Sequence, residues 1–319
     1  FGATAVKAVL LAIVFCSPSV FAALSASVTL VSGDPTDIYP GESTRLQITL
    51  SNSNSAADVN SVAFSTTLPG SLPNGLEISG ASTYQCTDPI DSSINAGVGA
   101  LTAVVGTQTI SLAGGVIDNR DNSTDGTCVI TVPVTAGTSS GDAATYAYQI
   151  GSGAVTGNDG SAISNSGAVS QSINVSALSK PTITKNFADS SVYLGGSTTR
   201  LTITVANSNP VDITGFSVTD TFPQLSAVGV IKVAATPNDS SSCTSGSPTF
   251  SPNAGDTSLT AAGDIPASGS CTFAVDVEAN HTDGNYSTGS QTNRIHKSTD
   301  FTNDIAIPAQ SNATDTITV

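Results

Sequence analysis

Four cysteines are the side chains of this sequence best placed for covalent chemistry. They fall into two pairs, Cys86 with Cys128 and Cys243 with Cys271. In an exported protein, the most economical interpretation is one disulfide within each half of the chain. Loops of about 40 and about 30 residues should contribute roughly 3.5–4 kcal/mol each by restricting the unfolded chain. A zinc site is the alternative, but no histidine or further cysteine lies at ligand spacing.

Strand periodicity supports the disulfides, because it places the later cysteine of each pair on an apolar face. Cys128 alternates with Ile130, Val132 and Val134, and Cys271 alternates with Phe273, Val275 and Val277. We therefore expect both cysteines to point into a core.

An acidic loop is the candidate metal site. Asp121, Ser123 and Asp125 alternate ahead of a glycine, as in the first half of a calcium-binding loop of the EF-hand type. The carboxylate expected at the twelfth position is replaced by Val132, and Arg120 competes for the same acidic side chains. The pattern therefore predicts either a calcium site at Asp121, Ser123 and Asp125 or a solvated acidic turn.

Candidate nucleophiles lack the context that catalysis needs. Residues 137–141 match the G-x-S-x-G pattern of serine hydrolases, which requires a strand–elbow–helix setting and a histidine base. This stretch follows a strand as a Gly/Ser turn, and its own half of the chain contains no histidine. His281 and His296 are the only histidines, and we expect both to be surface residues.

Carboxylates and a lysine on the predicted strands complete the set of candidates. Asp58, Asp212 and Asp220 lie at strand ends, where we expect them to accept hydrogen bonds from turn amides. A Lys–Asn isopeptide bond is excluded from the first half, because residues 24–176 contain no lysine. Lys185 lies in the first predicted strand of the second half and leaves this possibility open there.

The composition restricts the fold and the partners. Charged residues make up 10% of the 319 residues, Trp and Met are absent, and the formal net charge is −15. Many Ser, Thr, Asn and Gly residues suit short strands with tight turns rather than amphipathic helices. The negative charge argues against binding to nucleic acid and against polybasic membrane docking.

The N-terminus is typical of a signal peptide. Lys7 precedes the apolar residues 8–15, and Pro18 lies ahead of a predicted cleavage site after Ala22. The apolar run is too short to span a bilayer, which disfavours a retained membrane or filament-core helix. We therefore predict that residues 1–22 direct export through the general secretory route and that the mature chain is not inserted in a membrane.

The rest of the chain consists of two copies of one unit. Residues 39–54 and 193–209 share a glycine turn, an alternating strand and an Asn-rich end, and further matches extend over most of both halves. A short linker ends before Pro181. We predict domains at residues 23–176 and 177–319, and because the chain ends where the first copy ended, we expect further repeats beyond it.

Short strands separated by Gly, Pro, Asn and Asp at intervals of about ten residues predict an all-β fold. The expected architecture is two tandem antiparallel β-sandwich domains with Greek-key connections. A parallel β-solenoid is the alternative, but it requires a repeat of roughly 20–30 residues, much shorter than the observed period.

Residues 180–295 resemble the Ig-like conserved repeat domains of unknown function found in large exported bacterial surface proteins. The segments that carry the resemblance are residues 180–187, 195–209 and 219–223, the pair Cys243 and Cys271, and residues 292–293. Residues 24–175 are a divergent copy with Thr66 in place of Asp220 and a longer segment between the cysteines. The resemblance implies extracellular Ig-like β-sandwich modules and supplies no catalytic residues.

These observations predict a non-enzymatic, exported cell-surface protein that acts as a structural stalk or adhesive spacer, with an unknown protein or cell-surface partner. The alternative is a carbohydrate- or protein-binding module of a larger secreted protein. Since Trp is absent and aromatic residues make up only 5% of the chain, platforms for sugar stacking are disfavoured. We expect no cofactor other than calcium at the acidic loop.

Overall fold

The computed structural model describes residues 24–90, 92–137, 143–225, 229–281 and 289–319. The predicted signal peptide lies outside these residues, as does the G-x-S-x-G stretch apart from Gly137. Every regular element in the described part of the chain is a β-strand, so the predicted all-β class is confirmed. The search for a helix long and apolar enough to cross a membrane found none among the described residues.

In the N-terminal half, which we define as residues 24–175, the described residues form fourteen strands. They are β1 (Leu24–Leu30), β2 (Asp37–Ile38), β3 (Ser43–Asn52), β4 (Val59–Thr67), β5 (Leu76–Ile78), β6 (Thr83–Thr87), β7 (Ile94–Ala96), β8 (Ala100–Ala103), β9 (Thr109–Ile117), β10 (Gly126–Ala136), β11 (Ala144–Ile150), β12 (Thr156–Asn158), β13 (Ala162–Ser164) and β14 (Val169–Val175).

Eleven strands are described in the C-terminal half, which we define as residues 181–319. They are β15 (Thr182–Phe187), β16 (Thr198–Ala206), β17 (Ile213–Thr221), β18 (Gln224–Leu225), β19 (Gly229–Val233), β20 (Ser240–Ser241), β21 (Ser258–Ile265), β22 (Ser270–His281), β23 (Ser290–Ile295), β24 (Phe301–Thr302) and β25 (Ala313–Thr318).

The two halves follow the same pairing plan. One sheet of the N-terminal half has the order β1-β3-β10-β6-β7, with β5 also on β10, and its counterpart has the order β15-β16-β22-β19-β18, with β20 also on β22. The opposing layers pair β4 with β9 and β11 with β14 in one half, and β17 with β21 and β23 with β25 in the other. These antiparallel Ig-like sandwiches confirm the predicted architecture.

Alternation of apolar and polar residues explains why the central strands form. In β3 the residues Leu46, Ile48 and Leu50 are fully buried, and in β16 the equivalent residues are Leu201, Ile203 and Val205. The intervening polar residues face outward, as a strand period of two requires. Each of these strands pairs on both sides, with β1 and β10 or with β15 and β22.

One buried asparagine closes the same corner of both sandwiches. Asn52 Nδ2 lies 3.0–3.3 Å from three backbone carbonyl oxygens, and its Oδ1 accepts a hydrogen bond from Asn54 N. Asn207 repeats this arrangement in the C-terminal half, with carbonyl distances of 2.8–3.3 Å and a bond from Asn209 N. The Asn-rich end seen twice in the sequence therefore satisfies backbone groups where the chain leaves the strand.

Both expected disulfides are present. Cys86 joins Cys128 with 4.0 Å between the Cα atoms, and Cys243 joins Cys271 with 4.8 Å between them. Cys128 and Cys271 are fully buried on the apolar faces of β10 and β22, as their phase predicted. Each disulfide fastens a peripheral segment of the sheet to its longest strand.

The N-terminal half carries an insertion that periodicity did not predict. β7 and β8 lie at the edges of the two facing sheets, and the segment around them exposes several apolar side chains. These are Ile90, Ile94, Val98, Val104 and Val105, each more than half exposed.

Candidate functional site

A lysine, an aspartate and an asparagine occupy core positions in the C-terminal half. Lys185 lies between Ile183 and Phe187 on the inward face of β15. Asp220 follows Val218 on the inward face of β17, and Asn293 precedes Ile295 on that of β23. The three strands belong to three different sheets, so the fold rather than the local sequence brings these residues together.

Asp220 is the centre of the cluster. The Lys185 ammonium donates a hydrogen bond to Asp220 Oδ2, and the side chains of both residues are fully inaccessible to solvent. Asn293, which is 1% exposed, directs Nδ2 at the same oxygen over 3.4 Å. The amine and the carboxamide are therefore held next to each other by one carboxylate oxygen.

Aromatic rings enclose the lysine. Its Nζ lies 5.5 Å from the ring centroid of Phe187 and 5.8 Å from that of Phe222, and both rings are buried. Ring faces stabilise a nearby cation, but they cannot replace the water that an ammonium loses on burial. The surroundings thus disfavour charge on both the lysine and the aspartate.

The pKa values respond to this burial in opposite directions. Desolvation lowers the pKa of Lys185 below its ordinary value, although the negative charge of Asp220 opposes the shift. Desolvation raises the pKa of Asp220, although the positive charge of Lys185 opposes that shift. Both changes favour transfer of the proton from the ammonium to the carboxylate, which would leave a neutral amine beside a carboxylic acid.

Two oxygens of the cluster have unused bonding capacity. Among the described residues, Asp220 Oδ1 and Asn293 Oδ1 are buried and have no hydrogen-bond partner. An orphaned buried acceptor is costly, and it marks a place where the ground state is not fully satisfied. An open cleft lined by Thr221, Pro223, Thr292, Asn293 and Arg294 lies at the edge of the cluster.

The prediction for Asp220 was wrong. This residue bonds no turn amide; its carboxylate is buried against Lys185, because the alternation of β17 turns it inward. The same prediction is confirmed for the other two aspartates. Asp58 Oδ1 accepts a hydrogen bond from Asn119 N at 3.0 Å, and Asp212 Oδ1 accepts one from Ala267 N at 2.7 Å.

The candidate calcium residues lie in one tight turn. Asp121 and Thr124 form an isolated bridge, and Asp121 Oδ2 accepts a hydrogen bond from Asn122 Nδ2 at 2.8 Å. Asp125 is paired with Arg120 at 3.3 Å, the competition that the sequence indicated. Ser123 has a positive φ of 77° and is exposed.

Calcium binding by Asp121, Ser123 and Asp125 stays a prediction. Calorimetry at millimolar calcium tests it directly. Heat of binding in the wild type that is lost in Asp121→Ala would support the site, whereas the absence of heat in the wild type would overturn it.

Of the two histidines, only His296 has a described side chain. It is half-buried, and its Nδ1 lies 3.2 Å from Ser298 Oγ. The side chain of His281, the last residue of β22, lies outside the described residues.

The sequence pointed to Lys185, Asp220 and Asn293 separately but did not predict that they form one cluster. The sequence left an isopeptide bond possible at Lys185 and predicted turn-amide hydrogen bonds for Asp220, whereas Asn293 was named only among the residues that carry the family resemblance. The indication in the sequence was the strand period of two, because each of the three residues stands two positions from an apolar residue that is buried on the same strand. Polar residues at core positions need buried partners, but phase alone does not show that these three partner one another.

Comparison with known proteins finds similar architectures at low identity. The chain is similar to the 35 kDa C-terminal fragment of the major pilin GBS80 of Streptococcus agalactiae, with 9% identity, coverage of 92% of this chain and 91% of that one, and a TM-score of 0.35. It is similar to BcpA, the major pilin subunit of Bacillus cereus, with 13% identity, coverage of 93% and 65%, and a TM-score of 0.32. No function follows from similarities of this size.

A third similar structure is the N-terminal domain of the Streptococcus gordonii adhesin Sgo0707, with 6% identity, coverage of 87% of this chain and 59% of that one, and a TM-score of 0.30. No curated protein matches the sequence. The family model described as "Domain of unknown function (DUF7933)" matches residues 181–319, the whole C-terminal half. The resemblance of the C-terminal half to a domain of unknown function is thereby confirmed.

Proposed function

We propose that the protein is a non-enzymatic, exported surface protein whose β-sandwich modules act as a structural stalk or adhesive spacer. The observation that carries the proposal is that both halves build the same disulfide-pinned sandwich. Repetition of one module lengthens a protein without requiring a new fold, and the disulfides favour an oxidising compartment outside the cytosol. Export would use residues 1–22, and the modules would be residues 23–176 and 177–319, joined to further repeats of the same chain.

The linker supports a spacer that resists bending. Ser179 is held in both directions by Asn209, which donates to its carbonyl oxygen at 2.9 Å and accepts from its amide at 2.7 Å. Leu178 is buried in the core of the C-terminal half, and Tyr39 of the N-terminal half packs against the same core. Fixing the linker at these points limits its backbone freedom, as a spacer of defined length requires.

Surface display tests the proposal. Residues 24–319 are placed between a membrane anchor and a terminal epitope, and antibody access to the epitope is measured on cells with a thick polysaccharide coat. A spacer should present the epitope, whereas a Gly/Ser linker of about 30 residues should present it much less, because the r.m.s. end-to-end distance of such a coil is only about 30 Å. Equal presentation by the linker would contradict the proposal.

The exposed edge of the N-terminal half favours the alternative, a module that binds a protein partner. β7 and β8 are edge strands, and Ile94 and Val98 beside them are 66% and 60% exposed. An unpaired edge with apolar side chains can accept a strand from another chain. If binding is the function, Ile94→Arg with Val98→Arg should abolish adherence of displaying cells, whereas the spacer proposal predicts unchanged epitope presentation.

A further inference from the structure

We propose that Lys185 and Asn293 become joined by an intramolecular isopeptide bond, with Asp220 as the proton carrier. The proposal concerns covalent chemistry within the C-terminal half and is independent of the spacer function. It is based on the position of an amine nucleophile, a carboxamide electrophile and a proton carrier in one enclosed cluster.

The arrangement meets the geometric requirement. Lys185 Nζ and Asn293 Nδ2 approach the same atom, Asp220 Oδ2, and all three side chains are enclosed by the sandwich. Holding a nucleophile and its target on one shared oxygen replaces an encounter in solution with a reaction inside one molecule, which is worth several orders of magnitude in rate. Exclusion of water also removes the competing hydrolysis of the carboxamide.

The protonation states that burial favours are those that the reaction needs. An amine attacks only when it is neutral, and a carboxamide is a better electrophile when an acid donates to its oxygen. Transfer of the Lys185 proton to Asp220 supplies both conditions at once. The unpartnered Asn293 Oδ1 is available as the acceptor for such a donor.

The reaction balances without a co-reactant. Lys185 Nζ, neutral once one proton has passed to Asp220, forms a bond to Asn293 Cγ. Asp220 gives that proton to Asn293 Nδ2, the Cγ–Nδ2 bond breaks with release of ammonia, and the Asp220 carboxylate takes up the surplus proton that remains on Nζ. The amine and the carboxamide have become one secondary amide and ammonia, no atom changes oxidation state, and Asp220, a carboxylate in the ion pair, ends as the carboxylic acid.

The N-terminal half shows that the fold does not require charged residues at this place. Lys185 lies opposite Ile203 on the neighbouring strand, and Val28 lies opposite Ile48, the residue equivalent to Ile203 in the N-terminal half. In the same way, Asn293 lies opposite Asp315, and Tyr148 lies opposite the equivalent Gln171. The counterparts of Lys185, Asp220 and Asn293 are therefore Val28, Thr66 and Tyr148.

In that half, Tyr148 Oη and Thr66 Oγ1 form a neutral hydrogen bond of 2.6 Å beside the buried Val28. A sandwich of this plan is thus stable with an uncharged interior. Since a buried ion pair is weak evidence for stability, the charged residues of the C-terminal half call for another explanation, which the covalent bond provides.

The test is the intact mass of the full chain, with both disulfides reduced and alkylated. The wild type should be lighter than its sequence by the mass of one ammonia. Protease digestion should yield a branched peptide that joins the segments containing Lys185 and Asn293. A wild type of full sequence mass overturns the proposal, whether or not any variant folds.

Two controls distinguish other losses of ammonia. Cyclisation at Asn74, which precedes Gly75, would give the same mass change, but mild alkali hydrolyses the ring to aspartate or isoaspartate, and the loss would persist in Lys185→Met. The triple variant Lys185→Val, Asp220→Thr, Asn293→Tyr copies the N-terminal half and should fold with full mass. Persistence of the deficit in this variant would contradict the assignment.

Discussion

Removal of the Asp220 carboxylate should be severely destabilising unless Lys185 is removed with it. To separate this effect from the proposed covalent bond, the comparison is made in an Asn293→Ala background, where no bond can form. There Asp220→Ala leaves an amine with no solvent access and without its counter-charge. Breaking one partner of a buried pair costs about 3–5 kcal/mol, so we expect a loss in that range.

The compensating change is Lys185→Val, which copies Val28 of the N-terminal half. With both charges gone, the free energy of unfolding should return to within about 1–2 kcal/mol of the background, because apolar replacement of a buried pair is near neutral. The remaining cost reflects the volume of the truncated side chains.

A single tryptophan makes the C-terminal half observable, since the chain contains none. Phe250→Trp is suited to this, because Phe250 is half-buried with its ring 5.3 Å from that of Phe273. Urea unfolding followed by this fluorescence gives the midpoint and slope for each variant. The reasoning is refuted if Asp220→Ala costs less than about 1 kcal/mol, or if adding Lys185→Val fails to recover stability.

The pH dependence of the free energy of unfolding of Asp220→Ala, measured in the Asn293→Ala background, gives an independent check on the same reasoning. Because burial lowers the folded-state pKa of Lys185, its neutral form favours folding. The contribution is present above the unfolded pKa of about 10.4 and is lost as pH falls through the folded value. The variant should therefore gain stability relative to its Lys185→Val partner as pH rises toward 10.

Three further predictions concern other parts of the fold. Replacing Cys243 and Cys271 with Ala should cost about 3.6 kcal/mol by the chain-entropy estimate for a separation of 28 residues, measured by the same urea titration. Burial raises the pKa of Tyr148 to about 12, so the contribution of this residue to stability is complete below pH 10 and should be lost between about pH 10 and 12. Over this pH range the free energy of unfolding of Tyr148→Phe should therefore fall by about 2–3 kcal/mol less than that of the wild type. Asn207→Ala should cost about 2–3 kcal/mol because it strands buried carbonyl groups, whereas the exposed-turn variant Asn253→Ala should cost less than about 0.5 kcal/mol.

The sequence predicted the features that depend on local pattern. The alternation of Cys128 with Ile130, Val132 and Val134 predicted the strand that became β10, and the glycine turn and alternation within residues 193–209 predicted β16. The phase of Cys128 and Cys271 predicted the buried ends of both disulfides. Internal repetition gave the shared plan of the two halves, because both copies keep the same spacing of apolar residues.

The cluster could not be predicted in the same way, because its members lie on strands separated by long stretches of chain. The residues before Asp220 fit a strand that ends at this residue as well as one that continues through it. At a strand end, an aspartate ordinarily accepts hydrogen bonds from turn amides. Only the packing of three sheets shows that Lys185, Asp220 and Asn293 meet. Edge strands β7 and β8 were missed for a different reason: all three residues of β7 are exposed, and β8 has only four residues, too few for its alternation to indicate a strand.

Single-molecule extension of the full chain tests the central claim, a covalent bond between Lys185 and Asn293 inside the C-terminal half. With Lys185 joined to Asn293, the segment between them cannot extend, and unfolding of the C-terminal half should release only roughly 100 Å at about 3.4 Å per residue. Asn293→Ala should release roughly 380 Å, since only the Cys243–Cys271 loop stays closed. Wild type and variant releasing the same longer length would contradict the account.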